Sequence, residues 1–243
     1  LPRLWYLVGV IDMPWRRWAV VRWAVLAFLL GVAEIGTYNV VRGLAAARSW
    51  GEALLPLILM APALVVVIGA VTCALAWFHV VFRETAAGEE EIEDFSGGDV
   101  LGWFTAALWM AYYALLAWAV AGLLVRGAMW GNELQVLRLV LTLLLFLALL
   151  PLVLLASLEA ESPWIPWSLP VYIRLGQRPG DFLKVYLVEL ALVGLLFGLV
   201  WLAAQLSPVL SMALSAPLEA ATVLIIARLL GRLAIRMRQR SKA

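Results

Sequence analysis

The run LTLLLFLALLPLVLL (141–155) presents apolar side chains on every face, whichever regular backbone it adopts. A segment with no polar side to turn toward water is either the centre of a large core or a membrane span. A strand of a membrane barrel would alternate apolar and polar residues over about ten positions, and this run does not. A helix satisfies its own backbone polar groups, so in hydrocarbon it is the form open to such a run. The rest of the chain agrees. Of its 243 residues 65% are hydrophobic and 14% charged, with a mean hydropathy of +0.98, whereas a soluble domain carries about 25% charged residues. The fold class is therefore an all-α integral membrane protein.

A hydrocarbon core of about 30 Å needs roughly 20 apolar residues in a helix. Six windows meet that length, at about 18–41, 53–82, 100–125, 135–158, 183–206 and 208–230, and together they form one polytopic membrane domain. Pro56 and Pro62 near the start of the second predict a kink or a tilted entry. Only Ser207 and Pro208 separate the fifth from the sixth, so these two form either a tight hairpin or a re-entrant pair.

Lys and Arg are retained on the cytoplasmic side. With both termini cytoplasmic, the inner side holds Arg3, Arg16, Arg17, Arg22, Arg83, Arg174, Arg178, Lys184, Arg228, Arg232, Arg236, Arg238, Arg240 and Lys242. Only Arg42, Arg48, Arg126 and Arg138 of the 18 basic residues then face out. This asymmetry predicts six spans with both ends inside a bacterial inner membrane.

Two oppositely charged segments fall on that inner side. FRETAAGEEEIEDFSGGD (82–99) places Glu84, Glu89, Glu90, Glu91, Glu93 and Asp94 close together, as a solvated linker or a docking surface for a basic partner. In the C-terminal tail, Arg228, Arg232, Arg236 and Arg240 recur every four residues, one broad helical stripe. Such a stripe anchors topology, lies on an anionic leaflet or meets the acidic loop. Among the 13 tryptophans, Trp15, Trp18, Trp23, Trp50, Trp130, Trp164 and Trp167 sit near span ends, as interfacial anchors do. Trp103, Trp109 and Trp118, with Tyr112 and Tyr113, run along the third span, where they pack helices or line a lipid, quinone or pigment contact.

Ionisable groups at membrane depth are costly and point to function or to interhelical hydrogen bonds. Glu34 and Glu219 are the two such residues, while Glu189 lies nearer the inner end of its span. His79 is the only histidine, so a bis-histidine haem cannot come from this chain alone, although a single pigment ligand can. Cys73 is the only cysteine and lies in an apolar run, which excludes a disulfide or a cysteine-based zinc site within the chain. Neither Walker-type, HExxH nor GxSxG patterns occur, and nothing signals catalysis, a metal site or nucleic-acid binding. Gly194 and Gly198 form a GxxxG, which permits close helix approach. LLPL recurs at 54–57 and 149–152 at different depths, so it marks no repeat. LWYLVGVI (4–11) is too short to span and lacks the features of a signal peptide.

TAAGEEEIEDF (85–95), between two apolar spans, resembles a Gly-acid-acid-acid-Leu-Pro-Asp-Trp loop of uncharacterised bacterial multi-span membrane proteins of a domain-of-unknown-function type. LLPLVLLASLEAESPWIPWSLPVYIRLGQRPGDFLKVY (149–186) is similar to the same family's later span, Pro-rich segment and Pro-Gly-aromatic-Leu helix entry. The likeness covers about residues 75–190 and departs at Glu93 and Phe95, where the family tends to proline and tryptophan. It implies architecture and transfers no site residues. The expected function is a non-catalytic accessory subunit of a larger inner-membrane complex, in contact with lipids and other membrane subunits. A small-solute, lipid or proton-coupled transporter and a pigment- or quinone-binding subunit are the alternatives.

Overall fold

A computed structural model describes residues 9–89, 91–92, 100–129, 135–160, 164, 168–177 and 179–239. A 3-10 turn, Met13–Trp15, leads into α1 (Arg17–Ala46), followed by α2 (Trp50–Ala87), α3 (Val100–Ala128) and α4 (Gln135–Glu159). The short α5 (Leu169–Gln177) precedes α6 (Pro179–Leu206) and α7 (Pro208–Gln239). Apart from α5, all are long and apolar enough to cross a membrane, six helices in total. Every window expected to span falls on its own helix. Ser207 alone separates α6 from α7, and its Oγ accepts from the Val209 N–H at 3.2 Å. Both are of full spanning length, which favours the hairpin over the re-entrant pair.

α2 continues through Pro56 and Pro62 for 38 residues, ~57 Å at 1.5 Å per residue. Ser49 caps it, its Oγ accepting from the Glu52 N–H, and Gly88 closes it at φ 102°, a left-handed conformation that suits glycine. The Pro-rich segment before α6 is not loop throughout, because residues 169–177 form α5. Pro170 sits in its first turn, where a missing N–H leaves no helical bond unmade.

Neighbouring helices alternate in direction. Among α1, α2, α6 and α7, one end of the bundle, the base, carries Arg17, Ala87, Pro179 and Gln239, and the other, the apex, carries the links α1–α2 and α6–α7. α7 is the central helix and packs on α1, α2 and α6. α3 and α4 form a second pair joined to the rest mainly through α2. On α1 the buried residues Ala19, Leu26, Ala33 and Val40 recur every seven positions, forming a seam of small and medium side chains. Val21, Val25, Phe28, Val32 and Ile35 cover its exposed side. Lipid tails are as apolar as leucine, so close approach of small residues supplies much of the attraction between spans.

At the base the chain folds back onto the bundle. Val10 and Met13 are fully buried, and the turn holding Met13 packs on α1 and α7. Ile92, from the acidic segment, is 1% exposed, and its carbonyl accepts from Arg22 Nη1 at 3.5 Å. The acidic segment is thus pinned to the bundle at Ile92.

Candidate functional site

Glu34 precedes the apical end of α1 by twelve residues, and Glu219 follows the apical start of α7 by eleven. Both stand near mid-helix. α1 and α7 run antiparallel, as the Trp18–Arg228 contact at the base and the close approach of Gly31 to Ala216 nearer the apex require. Helical side chains tilt toward their own N-terminus. With Gly31 beside Ala216, Glu34 stands nearer the apex than Glu219, so its lean toward the base and the lean of Glu219 toward the apex bring the two carboxyls toward each other.

Ser215 lies one turn before Glu219 on the same face of α7, and its Oγ donates to Glu34 Oε2. The same Oγ is 3.2 Å from the Met212 carbonyl. Glu34 Oε1 is buried and has no hydrogen-bond partner among the described residues. About three turns nearer the base on α1, the Trp23 indole donates to the Pro217 carbonyl at 3.0 Å. Pro217 has no N–H, so the Ala213 carbonyl loses its usual helical partner beside this cluster. The sequence marks Glu34 and Glu219 separately, and the fold brings them together. Ser215 went unmarked, although its four-residue step to Glu219 was a readable signal, and Trp23 was read only as an interfacial anchor.

The remaining marked residues lie elsewhere. Glu189 does not reach the base: ten residues inside α6, it is 2% exposed, and its Oε2 has no hydrogen-bond partner among the described residues. Tyr186, a turn earlier, donates to the Leu144 carbonyl of α4 at 3.1 Å, which turns this side of α6 toward α4. His79 is half-buried at the basal end of α2, and Cys73 is buried. Among the described residues, His, Cys, Asp and Glu make no group that could hold a metal ion.

The arginine stripe of the tail is divided by its environment. Arg228 is 1% exposed, with its guanidinium over Trp18, so α7 continues into the core instead of leaving it. Arg232 lies beside Gly9, and Arg236 is 3.8 Å from Asp181, which also faces Lys184 at 3.9 Å. Glu89 and Glu91 are exposed. Glu90, Glu93, Asp94, Trp130, Trp167 and Arg240 lie outside the described residues. The aromatic set of α3 packs between helices: Trp118 meets Phe146 at 5.6 Å, Trp103 meets Trp77 at 6.4 Å, and Trp109 meets Trp164 at 4.7 Å.

Comparison with protein-family models, curated proteins and solved structures found no match to this chain.

Proposed function

We propose that this chain is a multi-pass protein of the bacterial inner membrane, base toward the cytoplasm, that couples proton movement to transport of a small solute through Glu34 and Glu219. The observation that supports this reading is the position of Ser215 Oγ between two acceptors, Glu34 Oε2 and the Met212 carbonyl. A hydroxyl has one hydrogen to give. Both contacts are satisfied together only when Glu34 carries a proton and donates it to Ser215, freeing the Ser215 hydrogen for Met212. Loss of that proton reverses the chain and leaves a carboxylate near Glu219 at mid-membrane, where unpaired charge is expensive. Proton binding and helix geometry are then linked, which is what a proton-coupled carrier needs.

The test is proton flux into vesicles holding the purified chain and a trapped pH dye. Vesicles with wild-type protein are expected to acidify faster than empty ones under an imposed gradient. Glu34→Gln and Glu219→Gln are expected to remove most of that difference while leaving thermal stability unchanged. Wild-type vesicles no faster than empty ones would overturn the reading. A non-catalytic accessory subunit is the second reading, supported by exposed acidic and basic groups at the basal ends of α1 and α2, Arg17, Arg83, Glu89 and Glu91. It predicts co-purification of a membrane partner that is lost when Glu89 and Glu91 become Gln.

A further inference from the structure

Between the basal end of α2 and the first turns of α3 lies a cavity of about 510 Å³, within the range of small-molecule sites. Its α2 wall presents His79, Arg83 and Glu84. Trp103 and Trp109 form the α3 wall, with Gly102 and Ala106 leaving room between them. Arg83 is exposed, and so is Leu101 at 71%, so the cavity reaches the outer surface of the bundle. His79 and Arg83 stand one turn apart on the same face of α2. Among the described residues, neither Arg83 nor Glu84 has its side chain in an ion pair or hydrogen bond. The cavity thus presents a cationic group and a carboxylate side by side, with tryptophan flanking them.

Its level in the bundle narrows the ligand. Arg83 and Glu84 stand in the last turns of α2, and Trp103 in the first turn of α3, the position of lipid head groups for helices of this length. Further along α3 from its start at the cavity mouth, Phe104 and Leu108 are exposed one turn apart, an apolar track for an acyl chain. A ligand matching all of this has a phosphate for Arg83 and His79, an ammonium for Glu84 and the tryptophan rings, and hydrocarbon beyond them. We infer that the α2–α3 cavity binds a zwitterionic phospholipid with a primary ammonium head, of the phosphatidylethanolamine class. A doubly anionic lipid gains from Arg83 but meets the Glu84 carboxylate, and a glycerol head leaves Glu84 without a cation.

Native mass spectrometry of the detergent-solubilised full chain tests this, using phosphatidylethanolamine, phosphatidylcholine and phosphatidylglycerol of identical chains in equal amounts. The wild-type chain is expected to retain one phosphatidylethanolamine about tenfold over phosphatidylglycerol, the order set by one charge-assisted hydrogen bond. Phosphatidylcholine, whose quaternary ammonium cannot donate to Glu84, is expected in between. Glu84→Gln should erase the preference between head groups, Arg83→Gln should lower retention of all three, and Arg126→Gln, in the last turn of α3 and remote from the cavity, should change nothing. Soluble glycerophosphoethanolamine should fail to displace the lipid, which separates a lipid site from a site for the free head group. Equal retention of the three lipids by the wild-type chain, or a preference for phosphatidylglycerol, overturns the inference without recourse to any variant. So does a preference that survives both basal substitutions.

Discussion

The guanidinium of Arg228 lies over the Trp18 ring, 5.6 Å from its centroid, and joins α7 to the first turn of α1. The arginine is 1% exposed, so the contact is far drier than a surface cation–π pair. Such contacts contribute about 0.5–2 kcal/mol, rising as water is excluded. Trp18→Leu is expected to lower the thermal midpoint in detergent by more than Trp18→Phe, which keeps an aromatic face. Equal midpoints for the two variants would show that ring volume, not the π face, holds Arg228.

Where α7 passes α2, Gly231 leaves no room for a side chain. A methyl group there would lie 2.5 Å from Thr85 Cβ and 2.8 Å from the Phe82 carbonyl oxygen. Gly231→Ala is expected to destabilise the bundle by about 1–3 kcal/mol, the range for overpacking a filled interface. Thr85→Gly in the same chain removes one of the two clashes, so partial recovery of the midpoint is expected. A Gly231→Ala chain with the wild-type midpoint would mean that α2 and α7 approach less closely.

Charge placement along the chain predicts the orientation. Single cysteines at Glu89 and Ser49, in a Cys73→Ser background, stand at the base and the apex. An impermeant thiol reagent added to whole cells is expected to label the Ser49 position only. A third cysteine at Ser207 is expected to behave like Ser49. Labelling of the Glu89 position alone would invert the orientation, and labelling of positions 49 and 89 alike would defeat the six-span arrangement.

The spans were legible because each is a long apolar run, and the only requirement on such a run is length. Ser207 and Pro208 sufficed to read a break between α6 and α7, since proline lacks the N–H to continue a helix but fits the start of the next. α5 was missed for the opposite reason: nine residues flanked by prolines carry too little periodicity to separate helix from loop. The pairing of Glu34 with Glu219 was also hidden. Each carboxylate stood out in its own span, but nothing in one sequence indicates that α7 lies against α1, and only that packing turns two costly acids into one site. Arg228 shows the same limit. Its four-residue spacing with Arg232 and Arg236 read as a surface stripe, whereas the Trp18 contact draws it inside.

The Ser215–Glu34 hydrogen bond is the tie between α1 and α7 that a double-mutant cycle can isolate, because each partner has a near-isosteric variant. Interhelical hydrogen bonds in membranes average about 0.6 kcal/mol and reach about 1.7, so Ser215→Ala alone is expected to lower stability within that range. Glu34→Gln keeps an amide that can donate to Ser215 Oγ and leave the serine hydrogen for Met212. A smaller loss is therefore expected for Glu34→Gln than for Ser215→Ala, whereas Glu34→Leu, which removes the contact, is expected to couple to Ser215→Ala with an energy near that of the serine variant alone. If the two losses simply add, the contact contributes nothing to holding the helices together. The carboxyl pair would then owe its position to the Gly31–Ala216 approach nearby. Vesicle proton flux distinguishes the two roles in the same proteins, since Ser215→Ala keeps both titrating groups while Glu34→Gln removes one. A structural tie alone predicts that flux follows stability across the variants. Proton handling predicts that Glu34→Gln, the more stable of the two, is the one that loses flux.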